Sequence, residues 1–179
     1  MGRPLQSVLP TVLTIAIAFF QFSKPSNAQL GGLFGSSVET ISTKDLLEKL
    51  KTRLEEQKKA QAAEESISPA SFILVDVRGD DETAVSIIPG AITKAKFEED
   101  LEKHRSKLII PYCTVGGRSG RYAKELAGRN LNVKNYSDSI LGWVGEGLPL
   151  VTLEGKPTKR VHTYSDRYKI PAEYEKVSK

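Results

Sequence analysis

The 179-residue chain is poor in the residue types that many chemistries require. It has one cysteine, Cys113, which excludes an internal disulfide and any multi-cysteine metal site. Its two histidines, His104 and His162, lie far apart and show no metal-ligand spacing, so no metal and no other cofactor is expected. Charge of one sign is scarce too. The formal net charge of +4 falls to +2 when the first 28 residues, with Arg3, Lys24 and no acid, are set aside. Basic and acidic residues are interleaved and form no basic stripe, which argues against nucleic acid as a partner. Long apolar runs are also missing. The longest, Val8 to Phe22, covers about 15 residues and is interrupted by Pro10, Thr11, Thr14 and Gln21. A bilayer span needs roughly 20.

What is present reads as a soluble globular protein, with 39% apolar and 27% charged residues. The length allows one ordinary domain with extensions. Residues 1–28 resemble an export signal: Arg3, the apolar run, then Ser26-Asn27-Ala28 with small residues at the positions that cleavage needs. Cleavage near Ala28 would give a periplasmic, lumenal or secreted product. The alternative is an uncleaved anchor formed by residues 8–22, and only then is membrane association expected. Residues 29–41, rich in glycine and serine, have linker composition.

Ser42 reads as the N-cap of a helix with Asp45 in its first turn. Leu46, Leu47, Leu50 and Leu54 mark one apolar face, and the leucines then stop. A surface helix docked by its first turns follows from that pattern. Phe72-Ile73-Leu74-Val75-Asp76-Val77 is a continuous apolar run closed by an acid, as in a buried parallel strand. Arg78 to Glu82 reads as a polar loop. Pro89-Gly90 marks a turn into another short strand. Phe97 to Lys107 has roughly helical spacing, Val133 to Tyr136 is strand-like, and Ser139 to Val144 is a short helix holding Trp143. Strands alternating with helices indicate an α/β fold with a parallel sheet. After Val151 the periodicity ends. Residues 152–179 form a basic extension, with seven Lys/Arg against four Asp/Glu, that either wraps its own domain, stays mobile or meets a partner.

The centre of the pattern is Pro111-Tyr112-Cys113-Thr114-Val115-Gly116-Gly117-Arg118-Ser119-Gly120. Strand-type Leu108-Ile109-Ile110 precedes it and a helix-type run from Arg121 follows, so Cys113 should stand on a strand-to-helix turn. Unpaired N–H groups at a helix start, with Gly116 and Gly117 letting the chain curl inward, favour a thiolate. Arg118 brings a permanent charge and a fork of donors, and Ser119 reads as the N-cap. Cys113 is therefore the candidate reactive thiol.

Residues 42–151 resemble the rhodanese family. The markers are Val75-Asp76-Val77-Arg78 with Glu82, Ile88-Pro89-Gly90-Ala91, Tyr112-Cys113 through Arg118-Ser119, and Trp143 with Gly147-Leu148-Pro149. The resemblance implies a five-stranded parallel sheet with helices on both faces. It implies a sulfurtransferase in which Cys113 carries sulfane sulfur as a persulfide, from a small anionic, thiosulfate-like donor to a thiol or cyanide-like acceptor. The N–H groups of Thr114, Val115, Gly116, Gly117 and Arg118 would cradle the sulfur, with Ser119 beside them, and the Arg118 side chain would meet the donor. Asp76 and Arg78 would be mainly structural, fixing loops at the rim. The six-residue span from Cys113 to Arg118 resembles that of sulfur-transferring members rather than the longer loop of phosphatase relatives. Ser86-Ile87 and Asp138-Ser139 depart from the family's usual Gly-His and Gly-Gly. The alternative function is a sulfur-carrier or protein-binding module that docks through its N-terminal helix and C-terminal tail.

Overall fold

The computed structural model describes residues 37–178. The expected export signal, and the linker as far as residue 36, lie outside the described residues. Helix α1 (Thr43–Ala62) opens the domain, capped by the Ser42 hydroxyl, which accepts the Asp45 N–H at 3.1 Å. Leu46 is fully buried and Leu47 and Leu50 pack on the core, whereas Leu54 is half exposed. The helix is thus anchored by its first two turns, as its leucine pattern predicts.

Strand β1 (Phe72–Asp76) leads to a short helix α2 (Asp80–Thr83), then β2 (Ala91–Thr93), α3 (Lys94–Glu99), α4 (Leu101–His104) and β3 (Leu108–Tyr112). Helix α5 (Gly117–Gly128) and helix α6 (Ser139–Gly145) complete the α/β unit. The three strands form a parallel sheet in the order β2-β1-β3. Successive side chains of a strand point to opposite faces. Leu74 and Ile110 accordingly enter one cluster with Leu46, Ile140 and Trp143, while Val75 and Ile109 enter another with Phe97, Tyr122 and Leu126. Helices therefore cover both faces, which is why the strands read as continuous apolar runs.

The core sheet has three strands, not the five expected. Two further segments continue it only as single parallel bridges, Ile109 with Val133 and Thr40 with Asn135. The cause lies in β3. In a parallel ladder, alternate residues turn both backbone groups to the same neighbour. Ile109 does so toward Asn132 and Lys134, and the next residue facing that way is Pro111. Its carbonyl accepts the Tyr136 N–H at 3.0 Å, but it has no N–H to return, so the ladder cannot lengthen. The outer bridge also shows that the stretch expected as linker joins the fold by Glu39, whose carbonyl accepts the Asn135 N–H at 2.8 Å.

The segment after Val151 packs on the domain. Strand β4 (Leu150–Val151) pairs antiparallel with β5 (Pro157–Thr158), and β6 (Arg160–His162) pairs parallel with β7 (Glu175–Val177). Val161 and Tyr174 join the core, and the Tyr174 hydroxyl donates to the Leu148 carbonyl at 2.6 Å. Among the described residues no helix is long and apolar enough to cross a membrane.

Candidate active site

Cys113 follows directly on β3, at the carboxyl end of the sheet beside the end of β1, where Asp76 is in register with Tyr112. The chain then turns sharply. Gly116 has φ +89°, and a Cβ there would lie 2.4 Å from the Ser137 carbonyl oxygen, so only glycine fits. Gly116 is also the N-cap of α5, not Ser119 as the sequence suggests. Ser119 lies inside the first turn with its hydroxyl 3.1 Å from the Gly116 carbonyl that accepts its proton.

The turn brings donors onto the sulfur. The Gly116 N–H reaches Cys113 Sγ at 3.1 Å. Burial pushes the thiol up, but the N–H and hydroxyl of Ser119, the Val115 N–H and the Ser139 hydroxyl together hold it below its ordinary value. The leading sources of that lowering are oriented dipoles. Gly117 begins α5, and the exposed Val115 forms the tip of the turn.

The Arg118 guanidinium is paired with Glu82. Its Nη1 and Nη2 donate to the two oxygens of Glu82 at 2.6 and 2.8 Å, and Nη2 also reaches Thr114 Oγ1 at 2.9 Å. The Thr114 hydroxyl donates to Glu82 Oε1 at 3.0 Å. Burial pushes the Glu82 carboxyl up, but Arg118, the Gly79 N–H and Thr114 outweigh it and bring it to about 2. Residues 78–82, expected as a polar loop, therefore hold a helix and two buried charged side chains, Arg78 and Glu82. The reason is pairing: a buried ion is tolerated when its partner and hydrogen bonds are supplied.

Arg78 forks onto Asp76 with contacts of 2.9, 3.1 and 2.7 Å, both side chains fully buried. Its Nη2 also holds the Ser86 carbonyl at 2.6 Å. The Tyr112 hydroxyl accepts the Ile88 N–H at 3.0 Å. This cluster ties the turn before β2 to the ends of β1 and β3, which is the structural role expected of Asp76 and Arg78.

Three neighbours of the site carried no signal that sequence reasoning used. Ser139 is buried against Cys113. Tyr164 lays its ring over the Arg118 guanidinium, 5.4 Å from the centroid, and His162 Nδ1 lies 4.0 Å from Glu82 Oε1. The last two come from the C-terminal extension, and no local pattern links them to residues so far away. Ser139 stood in a departure from the family pattern, which was the one available hint.

A parallel α/β sheet carries a lone, donor-ringed thiol at its carboxyl end, with no second cysteine to resolve it. A family model described as the rhodanese-like domain matches residues 47–146, and the chain belongs to that family. No match is found among curated proteins. Among solved structures, a protein from Bacillus halodurans shares the fold, with 24% identity over 66% of this chain and 80% of that one and a TM-score of 0.50. A rhodanese-related protein from Thermoplasma volcanium is similar at 23% identity, covering 63% of this chain and 97% of its own, with a TM-score of 0.47. A thiosulfate sulfurtransferase from Pseudomonas aeruginosa is 16% identical over 69% of this chain and 21% of that one, with a TM-score of 0.45.

Proposed function

We propose that the protein is a sulfurtransferase in which Cys113 carries sulfane sulfur as a persulfide. The observation that carries this reading is the ring of donors on one sulfur: the Gly116 N–H at 3.1 Å, with Val115, Ser119 and Ser139 around it. Such a ring stabilises a thiolate and then the terminal sulfur of a persulfide, because both present negative charge to fixed dipoles. With thiosulfate as donor, the Cys113 thiolate attacks the sulfane sulfur. A new S–S bond forms, the S–S bond of thiosulfate breaks, and sulfite leaves with the electron pair. An acceptor thiolate or cyanide then attacks the terminal sulfur and Cys113 leaves as a thiolate, so no external oxidant or reductant is needed.

The donor's anionic end meets a cation already committed to Glu82, so recognition rests on backbone N–H groups more than on a free guanidinium. The docking-module alternative draws less support, because the buried Val161 and Tyr174 commit the extension to its own domain. Intact-mass measurement after incubation with thiosulfate should show one added sulfur in the native protein and none in Cys113→Ser. No adduct with thiosulfate or a small persulfide would end the sulfurtransferase reading. Export through residues 1–28 is part of the same proposal. Amino-terminal sequencing of protein from the exporting cell should read from Gln29, and a chain starting at Met1 in the membrane fraction would replace export with anchoring.

A further inference from the structure

Ser139 combines three properties that a residue placed only for packing does not need. It has φ +58°, a left-handed conformation that glycine adopts at no cost and serine does not. Its hydroxyl is fully buried at the start of α6, 26 residues from Cys113 in sequence. And that hydroxyl is committed to the cysteine: Oγ accepts the Cys113 N–H at 3.1 Å, donates to the Tyr136 carbonyl at 3.0 Å, and stands 3.9 Å from Cys113 Sγ. A hydroxyl carries one proton on a rotor and can offer it to either neighbour. While the sulfur is a neutral thiol, the Tyr136 carbonyl is the better acceptor. Once the sulfur carries charge, a charge-assisted bond is the stronger choice.

We propose that Ser139 is a positioning residue for Cys113, fixing its backbone amide and turning its hydroxyl proton from the Tyr136 carbonyl to the sulfur when that sulfur becomes anionic. Nothing is transferred in this step; one hydrogen bond is exchanged for another. The other charged groups near the sulfur are Arg118 on α5 and, through it, Glu82 on α2, while α6 itself carries no ionisable side chain. Asp138, just before α6, instead accepts a hydrogen bond from Thr43 at 3.0 Å. The inference rests on Cys113 being the reacting thiol of the proposed function and on no particular donor.

The test pairs Ser139→Gly with Ser139→Ala in the full chain, reading two quantities: the pH midpoint of iodoacetamide alkylation of Cys113, and the melting temperature. Both variants lose the hydroxyl, but only glycine relieves the backbone. The midpoint should rise by about 0.5–1 pH unit in both, which slows alkylation roughly three- to tenfold below the midpoint. The glycine variant should melt several degrees above the alanine variant. Agreement in midpoint with disagreement in melting is the expected signature, since a merely structural role would make the two move together. Midpoints unchanged from the native protein in either variant would overturn the proposal, and so would midpoints that track melting. Failure of the sulfurtransferase reading looks different. There the native protein would gain no sulfur from thiosulfate or a small persulfide, whatever the midpoints at position 139 show.

Discussion

Two arginine–carboxylate forks lie near the carboxyl end of the same sheet, and they have opposite surroundings. In the Asp76–Arg78 pair both side chains are fully buried, and Arg78 also pins the Ser86 carbonyl. In the Glu82–Arg118 pair the carboxylate is buried but the Arg118 side chain is 32% exposed, with its guanidinium against the ring of Tyr164 and a few residues from Cys113. Equal chemistry thus serves different ends. A sealed pair has nothing to exchange with solvent or substrate, so it fixes backbone. A half-open pair keeps one partner at the rim, where it shapes the field around the sulfur and remains within reach of what enters.

Breaking the sealed pair should have the largest effect. Arg78→Met leaves the Asp76 carboxylate buried without its partner and frees the Ser86 carbonyl, so unfolding free energy should fall by about 3–5 kcal/mol. Urea denaturation measures this, and a loss below 1 kcal/mol would mean that the cluster relaxes or admits water and is not the anchor of the rim.

Acid should act through the half-open pair. The Glu82 carboxyl is held at about 2 in the fold, below its usual 4.5. Its contribution is therefore complete above pH 4.5 and is lost as pH falls from there toward 2. The shift corresponds to about 3 kcal/mol at neutral pH. Glu82→Gln should flatten the stability profile between pH 4.5 and 2 relative to the native protein. Parallel profiles would show that Glu82 does not gain that stabilisation from Arg118 and Thr114.

Arg118→Met should cost less than Arg78→Met, about 1.5–3 kcal/mol, because Glu82 keeps the Gly79 N–H and the Thr114 hydroxyl and can admit water. Combining Arg118→Met with Glu82→Gln should recover part of that loss, as a double-mutant cycle would register. Equal losses for Arg78→Met and Arg118→Met would erase the distinction between sealed and open pairs.

The smallest effect is expected from Arg118→Lys. The charge stays, but the planar fork across Glu82 and Thr114 is lost, so the change should be about 1 kcal/mol. A thiosulfate KM that nonetheless rose a hundredfold would show that Arg118 leaves Glu82 to bind the donor directly.

The two forks also show why part of the site was legible in the sequence and part was not. Asp76 and Arg78 sit two residues apart at the end of an apolar run, so their pairing is local and their structural role could be inferred. Glu82 and Arg118 are 36 residues apart, and nothing near Arg118 says that its charge is already taken. The expectation that Arg118 faces the donor took no account of Glu82 for that reason. The five-strand expectation met a similar limit. The segment Val133 to Tyr136 has strand character, but its partner β3 offers Pro111 where an N–H is required, and strand propensity is read one segment at a time.

By itself the sequence determined what depends on near neighbours. That includes the docked first turns of α1, the glycine-bearing strand-to-helix turn that carries Cys113 and the markers of the rhodanese-like family. Hydrophobic period, turn chemistry and helix-start dipoles act over a few residues, so they are written in consecutive letters. Only the tertiary structure decided where the long side chains point and which distant residues meet. It set Arg118 against Glu82, brought Ser139 beside Cys113, and laid Tyr164 of the basic extension over Arg118. A flexible, charged or hydroxyl-bearing side chain takes its direction from the strongest partner within reach, and that partner is chosen by the packing of the whole domain.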